Sequence, residues 1–325
     1  MRRITVLILS LLSVFLLLSV ILCSGENSVS LMEILTNNDI AETPEWNILL
    51  HLRIPRALMA ISCGALLSIA GCLMQSVFRN PLVEPYTMGL SGGAVVGVGV
   101  AWLLGCVGIG ASGFAFCGAI LSMIIVLLLR RVVGGSVESM LLAGVVVSFV
   151  MSSANMLVFS LASHDFTPVV LYWSIGSIDA ADEDAAKIMF CISFFVVVLS
   201  PFLGRLLDVL SAGEVTANHV GLDARRIAVW LFCLSALLTA LSVANVGVVA
   251  FVGMIVPHIV RRIVGGIHRW IVPLSGIWGG AFLLSCDMIA CRIIYPVELP
   301  VGIFTGIFGG LFFMFILIKN RNKYQ

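Results

Sequence analysis

Between Tyr86 and Leu129 the chain runs for 44 residues without one charged side chain. A stretch of that length and polarity has no stable home in water, and at 1.5 Å per residue it is long enough to cross a bilayer twice. The hinge between the two crossings falls near Gly105–Gly110. The first of them is rich in glycine (Gly89, Gly92, Gly93, Gly97, Gly99), and small residues let helix backbones approach closely. The rest of the sequence agrees, with 60% hydrophobic residues, 11% charged residues and a mean hydropathy of +1.14. This describes an all-α polytopic membrane protein whose solvent is the lipid bilayer. The 325 residues leave room for roughly ten spans of about 20 residues, in a single transmembrane domain over 1–325.

Read in order, the expected spans are 4–23, 57–78, two within 86–129, 139–161, 185–203, 227–246, a short one at 247–264, 270–291 and 301–318. The first follows Met1-Arg2-Arg3 and lacks small residues before Cys23, so it reads as a retained span rather than a cleaved signal. Fourteen of the eighteen Lys and Arg residues fall on loops and ends that this layout places on one side. By the positive-inside rule that side is cytoplasmic, and both termini lie there. The opposite side carries the acidic stretch 24–52, the segment 164–184 with Tyr172-Trp173, and four cations, Arg53, Arg56, Lys187 and Arg292. Three of those four are arginines at span ends. Asp287 is the ionisable residue deepest in an expected span: it is a proton-relay candidate, or it pairs with Arg292.

Two segments depart from plain spans and loops. Gly247–Val260 would reach about 21 Å as a helix, short of the ~30 Å hydrocarbon core. It carries Gly253 and breaks at Pro257-His258, ahead of Arg261-Arg262, Gly265-Gly266 and His268-Arg269. Such a segment reads as a broken helix lining a cavity, near 247–264, or as a kinked span before an ordinary loop. The other segment is the long cytoplasmic loop 205–226. Ser211-x-x-Glu214 has capping-box spacing, Gly221 stands where a helix-terminating glycine belongs, and Asp223 can cap the next span. A short helix near 212–220 presented to the cytoplasm either meets a partner or is a tidy loop.

Enzymatic chemistry is not expected. A P-loop needs Gly-Lys-Ser/Thr, and the three lysines (187, 319, 323) follow Ala, Ile and Asn. There is no HExxH. The nine cysteines show no CxxC or Cys/His cluster, so neither a metal site nor a disulfide framework is expected. No cofactor, catalytic residue or nucleic-acid partner is called for.

Six motifs, LRIPR at 52–56, FRNPLVEPYTMGLSGG at 78–93, LLAG at 141–144, SAGEVTANHVGLDARR at 211–226, FVGMIVPHIVRRIVGGIHR at 251–269 and ELPVGIFTGIFGG at 298–310, resemble in order and spacing the FecCD-type permeases of ABC importers for iron–siderophore, haem and cobalamin. The resemblance covers nearly the whole chain after the first span. It implies a homodimer or a pair with a paralogous permease, two cytoplasmic ABC ATPase subunits and an extracytoplasmic substrate-binding protein, all at the cytoplasmic membrane. It also assigns roles: Arg53, Arg56 and Arg292 to docking the binding protein; Ser211, Gly213, Glu214, Ala217, Asn218, Gly221 and Leu222 to the ATPase coupling element; Ser136, Val137, Glu138 and Ser139 to the cytoplasmic gate. The family's Gly-Glu-Glu-Ala-Ala run is here Gly213-Glu214-Val215-Thr216-Ala217, so one acidic contact is missing. The expected cargo is an iron–siderophore or related metal chelate, with haem or cobalamin as the alternative. An ion-coupled secondary transporter acting alone is the competing class. It would need ionisable residues near the midplane, and spans 2 to 5 have none.

Overall fold

The computed structural model describes residues 5–8, 10, 44–161, 167–178, 182–294 and 297–319. The expected first span beyond its opening turns, most of the acidic stretch 24–52 and the basic tail at Arg321 and Lys323 lie outside these. Among the described residues the protein is helical with no strand. The helices are α1 (Pro44–Ile48), α2 (Ile54–Phe78), α3 (Leu90–Leu103), α4 (Ile109–Val132), α5 (Val137–Leu161), α6 (Thr167–Ile175), α7 (Glu183–Leu199), α8 (Gly204–Ser211), α9 (Glu214–His219), α10 (Ala224–Val246), α11 (Val252–Val264), α12 (His268–Arg292) and α13 (Val301–Lys319). Among the described residues six helical stretches are long and apolar enough to cross a membrane, and the apolar helices at 90–103 and 301–316 are shorter. The expected hinge in the uncharged run is present as the turn between α3 and α4, with Gly105 and Gly108 at φ 75° and 60°.

α2 is the axis of the fold. Its apolar window is 89% buried, against 22% for the windows in α4, α5 and α7. It packs against α12, α10, α7 and α11. The sequence explains this, because Gly64, Ala65, Ser68, Ala70 and Gly71 leave its faces flat enough for backbone-to-backbone contact. Within lipid, helices associate through such close packing rather than through hydrophobic transfer. A Cβ on Gly64 would overlap the Gly279 carbonyl of α12, and one on Gly71 would overlap the Gly253 backbone of α11. Ser235 of α10 adds a bond across, its hydroxyl donating to Ala70 O at 2.6 Å. The glycine-rich α3 pairs with α4 in the same way, Gly93 against Gly118 and Gly97 against Phe114.

Two elements were not foreseen: α1, inside the acidic stretch expected as a loop, and α8. The loop expected over 205–226 holds the additional helix α8, amphipathic enough to bury Leu207 and Leu210 while Arg205 stays exposed.

Candidate functional site

α10 stops at Val246 because Gly247 turns to φ 69°, ψ −161°, a region open to glycine. The backbone that follows is not helical until Val252, yet it is bonded. Val248 N–H donates to Trp173 O at 3.2 Å, and Ser177 N–H donates to Val246 O at 3.0 Å, fastening the interruption to the end of α6. Phe251 enters α11 at φ 70°. Its N–H donates to the Glu84 carboxylate, 3.0 Å from Oε2 and 3.3 Å from Oε1. Glu84 is 4% exposed and lies 167 residues away in sequence. A carboxylate suits the positive end of a helix dipole, so Glu84 caps α11 in place of a local side chain.

The break therefore lies at 247–251, not at Pro257-His258 as the sequence suggests. α11 continues through both residues. Pro257 has no N–H for the Gly253 carbonyl, the usual reason a helix kinks or stops. Here Gln75 Nε2 donates to that oxygen at 3.0 Å and to Met254 O at 3.3 Å. With the freed carbonyl bonded from α2, the helix holds. The His258 ring stands near Phe312 and Phe313 of α13, at centroid distances of 6.0 and 6.4 Å.

The end of the bundle that carries Arg79 holds the expected coupling and gate residues. Ser211 is not the cap of α9. It is the last residue of α8, and its hydroxyl donates back to Asp208 O at 2.9 Å. Gly213, at φ 118°, precedes α9 with no side-chain cap, and Glu214 accepts from Arg225 Nε at 2.8 Å. The capping box is thus absent, because α8 commits Ser211 to the preceding turn. The C-terminal expectation holds in full. Gly221 N–H donates to Asn218 O and Leu222 N–H to Ala217 O, both at 3.0 Å, with Gly221 at φ 81°. That is a Schellman ending. Asp223 caps α10 as expected, accepting from Arg226 N–H at 3.1 Å. Ala217 is buried beneath the short helix, while Val215 and Val220 are 70% and 65% exposed.

The expected gate residues open α5. Ser136 Oγ accepts from Ser139 N–H at 3.0 Å, and Ser139 Oγ donates to Ser136 O at 2.9 Å. Arg130 Nε at the end of α4 also donates to Ser136 O, at 3.1 Å. Val137 is buried and Glu138 exposed. Glu138 lies within the field of Arg79 and Arg225. Arg79 ends α2 at φ 50° with its guanidinium beside Gly213. Arg79, Glu138 and Arg225 thereby lie where the loop 205–226, the end of α2 and the start of α5 come near one another. Asp208 was not singled out in the sequence. It accepts from His268 N–H at 3.0 Å and pairs with His268 Nδ1 at 2.7 Å, while His268 Nε2 lies 3.0 Å from Ser76 Oγ. The chain of three fixes α8 to the start of α12 and to α2. Nothing near it in the sequence points to His268, 60 residues further on.

At the opposite end Arg56 is held by its own chain. Its Nε and Nη2 donate to the two Asp287 oxygens at 3.0 Å each, and Nη1 donates to Glu298 Oε2 at 2.6 Å. Asp287 is thus engaged by Arg56, a partner that the sequence did not point to. Helix geometry gives the reason. α2 and α12 cross at Gly64 and Gly279, and Arg56 and Asp287 each lie two turns from that crossing, about 12 Å along antiparallel helices. Arg53 is half-buried and Arg292 exposed at this same end.

This architecture has known counterparts. The chain is 30% identical to the hemin transport system permease protein HmuU of Yersinia pestis, over 86% of this chain and 85% of that one. It is 34% identical to the cobalamin import system permease protein BtuC of Halobacterium salinarum, over 82% and 72%. Its fold superposes on a solved structure described as an inward-facing conformation of a putative metal-chelate type ABC transporter, with a TM-score of 0.87, 25% identity and coverage of 97% and 99%. Residues 11–319 match the model of the FecCD transport family, and the chain belongs to that family of ABC importer permeases.

Proposed function

We propose that the chain is the pathway subunit of an ATP-driven importer that moves a bulky metal chelate across the cytoplasmic membrane, with ten spans and both termini in the cytoplasm. An iron–siderophore is the cargo favoured, since the family and its metal-chelate neighbour point to that class; haem and cobalamin are the alternatives that the relatives' names supply. The observation that carries the reading is α9. A six-residue helix closed by a Schellman turn, seated on Ala217 and turning Val215 and Val220 to solvent, is a surface for a partner. That partner is the ABC ATPase, and the cluster of Arg79, Glu138 and Arg225 passes its movement to α2 and to a gate at Ser136–Ser139. The break at 247–251, held by Glu84, faces the pathway. A second copy or a paralogous permease completes it.

At the other face Arg53 and Arg292 receive carboxylates of a substrate-binding protein. Arg56 belongs to the same end as its anchor, because reversing its charge would set three carboxylates together and disrupt the permease itself. Docking is therefore tested with Arg53→Glu plus Arg292→Glu. Exposed ion pairs are weak singly and screened by salt, while close interfacial pairs couple by about 1.5 kcal/mol or more. The double variant should lose binding-protein affinity and uptake, and an acidic-to-Lys change on the binding protein should restore part of both. The reading as a whole is tested in proteoliposomes. Ferric chelate should accumulate only with the binding protein outside and ATP with the co-expressed ATPase on the cytoplasmic face. Uptake driven by an ion gradient without ATP would replace this reading with the secondary-transporter one; the tie between Asp287 and Arg56 argues against it.

A further inference from the structure

None of these roles uses the outer surface where α2, α7 and α12 meet. There the helices leave an apolar cavity of about 550 Å³, walled by Ala65, Phe194, Val197, Trp270 and Ile277, with Leu7 at one side. Trp278 Nε1 donates to Ser10 Oγ at 2.7 Å, which seats that opening segment against α12. From Phe190 to Pro201 the cavity follows α7 for about 16 Å, close to half of the ~30 Å hydrocarbon core. It is one leaflet deep.

Its mouth is charged. A second cavity of about 390 Å³ shares Val198, Pro201 and Arg269 with the first and adds Arg205. Gly204 sits so close to α12 that a Cβ would overlap the Arg269 backbone, which brings Arg205 and Arg269 to one side. The bonds from Asp208 to His268 fix that arrangement. Asp208, the acid on the same short helix, is thus occupied, and among the described residues neither arginine has a hydrogen-bond or ion-pair partner. Two unpartnered guanidiniums above a lipid-facing apolar groove match a phosphate above an acyl chain. Arginine is the side chain best shaped for phosphate, and basic pockets between helices on the cytoplasmic side recruit anionic lipid.

We propose that this groove binds one anionic phospholipid, with an acyl chain along α7 and α12 and the phosphate bridging Arg205 and Arg269. Assigning it to the cytoplasmic leaflet rests on the orientation proposed above, whereas binding itself does not, so the two are tested separately. The binding test is native mass spectrometry of the purified full chain, offered phosphatidylglycerol or phosphatidylcholine of equal chain length. Wild type should retain phosphatidylglycerol preferentially. Arg205→Gln with Arg269→Gln should lower that retention by roughly tenfold or more, at about 1 kcal/mol per arginine, and leave phosphatidylcholine unchanged. Val198→Trp, at a half-exposed position lining both cavities, should lower retention of both lipids. All three positions are solvent- or lipid-facing, so melting in detergent should match wild type. Equal retention of the two lipids, an unaffected double arginine variant, or displacement by soluble glycerol phosphate would overturn the proposal. So would a dimer that Val198→Trp dissociates, since a second copy would then be the occupant.

Discussion

The two ends of this bundle handle charge in opposite ways. At one end Arg56 is enclosed between Asp287 and Glu298, with its own side chain 20% exposed and that of Asp287 only 7%. At the other, the Glu214–Arg225 pair is partly solvated, Val215 and Val220 face outward, and Arg205 and Arg269 have no partner among the described residues. The first end is braced from within. The second leaves its polar and apolar groups available, as a surface that meets other molecules must. The contrast teaches that charge count alone does not describe an end of the bundle, since Arg56 is spent on internal carboxylates while Arg205 and Arg269 have no partner among the described residues.

The largest effect expected from that contrast is at the braced end. Asp287→Ala removes one side of a desolvated pair and should cost about 3–5 kcal/mol, toward the lower figure because Glu298 still holds Arg56. Arg225→Ala at the open end should cost about 0–1 kcal/mol. Thermal unfolding in detergent measures both, and equal losses would erase the distinction. Next come the glycine contacts that hold the ends in register. Gly93→Leu must displace Ser122 and the Gly118 backbone, an overpacking cost of about 1–3 kcal/mol, whereas the half-buried Val96→Leu should be close to neutral in the same assay. A smaller loss than either Asp287→Ala or Gly93→Leu sharpens the account of α11. Gln75→Leu leaves the buried Gly253 carbonyl without a donor and should cost about 1–2 kcal/mol. Pro257→Ala in that background should recover much of the loss, because residue 257 regains the N–H that bonds Gly253 O. Strict additivity of the two changes would show that Gln75 does not compensate for Pro257.

These residues also mark how far the sequence was legible. Local signals read correctly: the hinge at Gly105–Gly110, the Asp223 cap, the Gly221 ending and the small face of α3 each depend on neighbours within a few residues. Non-local ones misled. Pro257 looks like a break until Gln75, 178 residues before Gly253, reaches the Gly253 carbonyl that the proline orphans. Asp287 gives no local hint of Arg56, which the crossing at Gly64 and Gly279 delivers to it. Ser211 looked like a cap because its spacing to Glu214 fits one; the helix that ends on it is only eight residues long and is fixed by packing against α12. Glu84 carried a faint signal, an acid in an otherwise basic turn, but nothing local tied it to Phe251.

The central claim is that the open end receives an ATPase through α9. Gly221→Leu forces a side chain into the left-handed turn, at about 1–2 kcal/mol, with no atom of the chain within 4 Å of the new Cβ to obstruct it. The change therefore strains the docking helix without disturbing the packed interior. The direct measurement is copurification of the ATPase together with ATP-dependent chelate uptake for this variant, at matched expression and melting temperature. The account predicts that both fall severalfold together. Wild-type copurification and uptake in Gly221→Leu would contradict it.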